Sequence, residues 1–115
     1  MSGLRLTPEV LAGSYRFLLM TQPFDKWGLP DTGDVKFKVI RNRRHCGDHG
    51  FINGHHEIRV SASLIGHTTN LIQTMAHEMV HIRCMEMGDK SDHGEMFQRY
   101  ARIVCRYHGF DPKLF

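Results

Sequence analysis

The chain has 115 residues, 41% of them hydrophobic, and its 15 Lys and Arg against 12 Asp and Glu leave a formal net charge of +3. That length supports one domain, residues 1–115, with one small core, and no apolar stretch approaches the roughly 20 residues that a membrane span needs. The amino terminus has no charged-then-apolar leader, and Cys46, Cys84 and Cys105, an odd number at scattered positions, argue against a disulfide framework. The expectation is a soluble, intracellular, cytoplasmic protein, associated with nucleoid or nucleus if it meets DNA.

Thr7-Pro8-Glu9 is a helix start with proline at the first helical position, and Leu11, Tyr15, Leu18 and Leu19 mark a buried face running to about Thr21. After a turn-rich stretch through Gly28, Pro30 and Gly33, Val35, Phe37 and Val39 alternate with Lys36 and Lys38, the period of a half-buried strand. Asn42 to Gly54 reads as irregular and polar, a hairpin or a long loop. Ile58, Val60 and Ala62 alternate with Glu57, Arg59 and Ser61 and give a second strand.

A second helix starts near Thr69 and Asn70, with Gln73 three residues after Asn70, and carries the apolar run Leu71, Ile72, Met75, Ala76, Met79, Val80 and Ile82 to its end before Gly88. Asp92 as N-cap and Glu95 as its capping-box partner then open a last helix, about 93 to 107, which buries Met96, Tyr100, Ile103 and Tyr107 and stops at Gly109. These elements make the chain α+β.

The middle helix contains Thr74-Met-Ala-His-Glu-Met-Val-His81, an H-E-x-x-H motif. Residues i and i+4 of a helix lie about 40° apart and one turn up, so His77 and His81 can converge on one metal ion. Glu78 stands beside them, placed to take a proton from a zinc-bound water rather than to bind the metal. Chance accounts for about 0.03 such motifs at this chain's His and Glu frequencies, which favours a zinc site over a pair of satisfied core histidines.

A catalytic zinc needs a third protein ligand and an open fourth position. The metzincin continuation is absent, because Ile-Arg-Cys-Met-Glu-Met follows His81. Cys84 shares the face of His77 but would stand roughly 7 Å along the axis from the metal, too far for its short side chain, and Glu86 fails on similar grounds. His93, at the start of a helix folded back on the motif helix, is the first candidate; Glu95 is the fallback.

H-E-M-V-H followed by a short turn and His93-Gly-Glu-Met-Phe97 resembles the SprT/Spartan family of zincin-like metalloproteases. The segment Glu57-Ile-Arg-Val-Ser-Ala-Ser-Leu-Ile65 is similar to the family's strand before the motif helix. The first helix, Pro23-Phe-Asp-Lys-Trp27 and the strand Val35 to Ile40 fit its opening. The resemblance implies Zn2+ on His77, His81 and His93, Glu78 as catalytic acid and base, and hydrolysis of peptide bonds in a protein or peptide substrate. Many relatives add a C-terminal zinc ribbon with paired cysteines, and this chain has no C-x-x-C; it resembles a minimal form.

Lys36, Lys38, Arg41, Arg43 and Arg44 cluster around the end of the first strand, and Arg99, Arg102 and Arg106 follow one face of the last helix. Such patches attract phosphates, so DNA is a candidate partner, and for some members the family resemblance implies proteolysis of DNA-bound proteins, as in DNA–protein crosslink repair. Trp27 and Phe51 are candidates to stack on unpaired bases or to join the core. His45, Cys46, Asp48, His49, His55 and His56 match no structural zinc pattern and read as a polar loop that can line a cleft. Tyr100, Tyr107 and His108 are candidate oxyanion partners by chemical type. The alternative to a peptidase is a zinc-stabilised nucleic-acid-binding module, which has no use for an uncoordinated Glu78.

Overall fold

A computed structural model describes residues 5–65 and 67–115. Helix α1 spans Pro8–Leu19, opened by the Thr7 hydroxyl, which accepts from the Val10 amide at 3.1 Å. This is an N-cap satisfying one of the helix's free donors. Strand β1 is Val35–Ile40, β2 is Gly47–Ile52 and β3 is His55–Ser61; helix α2 is Thr68–Glu86 and α3 is Glu95–His108. The architecture is α+β, with three helices and a three-stranded sheet among the described residues. None of the described helices is long and apolar enough to cross a membrane.

The sheet order is β1-β3-β2, with β1 parallel and β2 antiparallel to β3. The segment read as a hairpin or a long loop forms a hairpin: it contains β2, which turns into β3 through Asn53 and Gly54 at φ 51° and 80°. Two consecutive positive φ values are what a two-residue hairpin turn with the sheet's own twist requires, and Asn-Gly supplies them at little steric cost. Strand alternation then directs Gly47, His49 and Phe51, paired with Val60, Ile58 and His56, toward the same side of the sheet as Val35 and Phe37.

Being central, β3 is covered on both faces. Ile58 and Val60 are fully buried, and so is Ser61 on the opposite face. Glu57, read as outward-facing, is buried as well. It accepts from the Arg59 guanidinium at 2.7 Å and lies 3.6 Å from the Lys38 ammonium, and these partners hold its carboxyl below the usual range.

Helix α2 runs through the middle of the fold and buries Leu71, Met75, Ala76, Met79, Val80 and Ile82 against both other helices and the sheet. Leu11, Tyr15 and Leu18 of α1 and Val104 of α3 complete a core of fully buried side chains. The Tyr15 hydroxyl donates to the Pro30 carbonyl at 2.7 Å, tying α1 to the loop before β1.

Two boundaries and one buried face differ from the sequence reading. The α2 N-cap is His67, without a side-chain bond, so the helix begins ahead of Thr69 and Asn70. The last helix begins at Glu95 with Gly94 as N-cap, so neither Asp92 nor a capping box opens it, and His93 precedes it instead of riding on it. Its buried stripe is Phe97, Ala101, Val104 and Cys105, while Ile103 and Tyr107 are exposed and Met96 and Tyr100 only half-buried. Both stripes contain apolar residues, and the angle at which α3 docks on α2 decides between them.

Candidate metal centre

No glycine or proline interrupts residues 68–86, so α2 stays regular through the motif and stacks the His77 and His81 rings one turn apart, 5.0 Å between centroids. The helix then stops at Gly88, whose φ of 84° lets the chain turn back. In the turn the Asp89 carboxylate accepts from the amide and the hydroxyl of Ser91, an Asx-type arrangement that orders the loop. His93 follows in the left-handed region at φ 54°, a conformation rare outside glycine. A side chain at Gly94 would meet the Ser91 hydroxyl, so a larger residue there would require the Ser91 side chain to move.

This turn brings His93 onto the motif. Its Nε2 lies 3.1 Å from His77 Nε2 and 3.2 Å from His81 Nε2, and the donor atoms of the three residues fall within 4.8 Å of one another. They can hold a metal ion. Cys84 is buried in the same helix and Glu86 lies 3.7 Å from His56; neither joins the group, and Glu95 does not either. Phe97, only 3% exposed, packs its ring against all three imidazoles at 4.6 to 4.9 Å between centroids and floors the cluster.

Burial, then the repulsion of the neighbouring imidazoles, pushes His77 and His81 down to about 4. Both are neutral at pH 7, with lone pairs available. His77 Nδ1 lies 3.2 Å from the backbone oxygen of Phe115. A main-chain oxygen, whether of a peptide carbonyl or of a carboxylate, can only accept, so the ring's hydrogen sits on Nδ1 and its Nε2 lone pair faces His93. The partner of His93 is exposed: its Nδ1 lies 3.3 Å from the Asp92 carboxylate.

Glu78 is 3% exposed, and its Oε1 has no hydrogen-bond partner. Burial, followed by the charges of Asp48 and Asp92, pushes this carboxyl up to about 8. A buried acceptor left unpaired costs about 1–3 kcal/mol, and such a group at a cleft is a candidate for a functional role. One cavity of about 460 Å³ reaches from Glu78 past Asp48 and His49 to Asp89 and Asp92. Another, of about 540 Å³, lies toward Arg44, Gln73 and Leu114. His45, Gly47, His77, Glu78 and His93 line both, so a groove passes the carboxylate and two of the imidazoles.

Strand β2 forms one wall of that groove. A Cβ on Gly47 would stand 2.8 Å from the Arg59 carbonyl, 3.0 Å from Thr74 Cγ2 and 3.5 Å from Glu78 Oε2, so only glycine allows the strand to approach α2 this closely. His49 lies with its ring parallel to that of His81, 6.3 Å between centroids, and bonds His56 at 2.8 Å. His45 also lines the groove, whereas His55 is exposed at the start of β3. No second cluster of metal-ligating groups occurs among the described residues.

Tyr100, Tyr107 and His108 line neither cavity. Tyr100 packs on Trp27 and under Arg83, Tyr107 is exposed, and His108 bonds the Thr21 hydroxyl at 3.0 Å. Trp27 belongs to that aromatic packing with Phe24 and Tyr100, while Phe51 is 51% exposed beside the hairpin turn. Gly47 and Phe115 escaped the sequence reading as site residues, whereas His45, Asp48 and His49, expected in a polar loop that can line a cleft, do line it; the Asn53-Gly54 pair was the one local signal that could have put β2 against the motif. A model of the SprT-like family matches residues 18–114. A comparison with curated proteins finds no match.

Proposed function

The chain belongs to the SprT-like family, whose model covers residues 18–114, and on that footing we propose that it is a zinc-dependent endopeptidase held together by His77, His81 and His93, with Glu78 as general base and acid. The donor set supports zinc. Three imidazole nitrogens at Zn–N distances of 2.0–2.1 Å on a tetrahedron would be about 3.3–3.4 Å apart, and two of the separations here are 3.1 and 3.2 Å. Zinc held there supplies Lewis acidity, which polarises a carbonyl and raises the acidity of water.

The chain's own residues do the rest. His77 and His81 stay neutral at physiological pH because burial disfavours their charged forms. Glu78 offers an unpaired oxygen to the groove. A carboxylate whose proton affinity is raised by burial, and lowered again by a cation beside it, is suited to accept a proton from the attacking water and return it to the leaving amine. Phe97 shields the floor from water, and β2 leaves a groove open on both sides of Glu78 for an extended polypeptide.

The observation that carries this reading is the buried, unpartnered Glu78 oxygen beside three convergent imidazoles. A site that kept zinc for stability alone, as in a nucleic-acid-binding module, would gain nothing from it. Glu78→Gln is therefore expected to retain one zinc per chain and the parent fold, and to lose cleavage of an unfolded protein substrate by at least ~10²-fold. Undiminished cleavage would remove Glu78 from the mechanism.

DNA-associated proteins are the proposed substrates. Arg41, Arg43 and Arg44 are exposed after β1 and Arg44 lines the groove, which supports a phosphate-binding surface beside the site; Lys36 and Lys38 are exposed on the other face of the sheet, where Lys38 lies 3.6 Å from Glu57. Anisotropy with labelled duplex across a salt series is expected to give a slope near −0.9 per phosphate contact. Reversing Arg41, Arg43 and Arg44 to Glu should flatten it, and a zero slope in the parent protein would leave a peptidase without a DNA partner.

A further inference from the structure

We infer that the segment following α3 is a working part of the metal centre, in which the backbone oxygen of Phe115 is the positioning group for His77; this rests on the metal-site reading above.

The segment is built to return to the site. Helix α3 ends at Gly109, whose φ of 75° lets the chain reverse. Asp111 then closes a tight turn: its carbonyl accepts from the Leu114 amide at 2.9 Å and its carboxylate from the Lys113 amide at 2.9 Å. Rings carry the same path, with His108 stacked on Phe110 and Phe110 on Phe115. The end of the segment is clamped to α2 one turn before the motif, where the Gln73 amide donates to the Leu114 carbonyl at 2.9 Å. Four residues on along α2, His77 Nδ1 meets Phe115 O, with the Phe115 ring 5.3 Å from the imidazole.

The consequence is chemical as well as steric. A free imidazole favours the hydrogen on Nε2, the atom that has to face a metal here. Donation from Nδ1 to the Phe115 oxygen reverses that preference, frees the Nε2 lone pair, fixes the ring plane and raises the ligand's basicity. The two motif histidines therefore differ: His77 is set by a distant stretch of main chain, and no side chain replaces that oxygen.

Two measurements test this. In the metal-free parent protein, long-range 15N–1H correlation should find His77 with its hydrogen on Nδ1. Zinc affinity, read by competition with a chromophoric chelator, should fall by about 10–100-fold when Phe115 is deleted, the usual cost of losing such a partner. Gln73→Leu, which removes the clamp without shortening the chain, should weaken zinc in the same direction and shift the His77 tautomer toward Nε2–H, which keeps the idea testable if the deletion fails to fold. A parent protein that binds no zinc would sink the metal reading itself. Zinc binding by a parent whose His77 carries its hydrogen on Nε2 before loading, or a folded deletion or Gln73→Leu with affinity within twofold, would overturn the role of Phe115 alone.

Discussion

Replacing Gly47 by alanine probes a close approach between β2 and the motif helix. The added Cβ would meet the Arg59 carbonyl at 2.8 Å and Thr74 Cγ2 at 3.0 Å. Ordinary contact begins near 3.4 Å, so β2 has to retreat by about 0.6 Å from a carbonyl of the strand it pairs with, a group that cannot rotate aside. Overpacking of this kind costs about 1–3 kcal/mol. With an unfolding entropy of about 2.1 cal/mol/K per residue, a chain of this length loses roughly 4 °C of melting temperature per kcal/mol, which gives a fall of about 4–12 °C. Thermal and urea unfolding of the metal-free protein measure it, and the urea m-value should not change, because the surface exposed on unfolding is the same. Thr74→Ser in the Gly47→Ala background removes the Cγ2 contact and should restore part of the loss, with the Arg59 carbonyl responsible for the remainder. A Gly47→Ala protein melting within 2 °C of the parent would show that β2 does not press on α2, and the argument for a glycine at this wall would be wrong.

His93→Ala is expected to abolish stoichiometric zinc binding while α2 stays folded, since it leaves only two of the three imidazoles; metal analysis after dialysis checks this, and one tightly held zinc per chain would require another third ligand. The metal-free protein should be most stable near pH 6.5. His49, His77 and His81 are pushed from 6.5 down to about 4 in the fold, so the unfolded chain binds more protons and stability falls as pH drops from about 6.5 toward 4. Glu78 is pushed from 4.5 up to about 8, so the folded chain binds more protons and stability falls as pH rises toward 8. Below pH 6.5 three histidines outweigh one glutamate. Melting temperatures across pH 4 to 9 test the shape, and an alkaline limb that survives in Glu78→Gln would assign it to another group.

Much of this was legible because it follows from local spacing. His77, Glu78 and His81 stand where a 3.6-residue period puts them, and the alternation of Val35, Phe37 and Val39 marks β1 at Val35–Ile40. Strand β2 was obscure because Gly47 and Gly50 break the apolar alternation that identifies a strand. At Gly47 a side chain would run into the Arg59 carbonyl and Thr74, so that glycine is demanded by packing against neighbours far along the chain, while at Gly50 a Cβ would stand 3.3 Å from the movable Arg59 guanidinium. The stripe of α3 was misread by one position, because Met96, Tyr100, Ile103 and Tyr107 form as good an apolar row as Phe97, Ala101 and Val104. The contact between His77 and Phe115 is beyond sequence reasoning altogether, since the group that matters is a main-chain oxygen common to every residue type.

All three imidazoles come from a stretch of 17 residues, and the turn that delivers His93 is bracketed by two left-handed residues, Gly88 and His93 itself. Closing the 12-residue separation between His81 and His93 carries a length-dependent entropy of only about 2 kcal/mol, whereas most of the core lies elsewhere along α1, β3 and α2. Swinging that turn away exposes two imidazoles on a helix that remains folded. Metal exchange should accordingly be a local hinge motion, fast compared with unfolding, with a release rate that barely responds to low concentrations of denaturant.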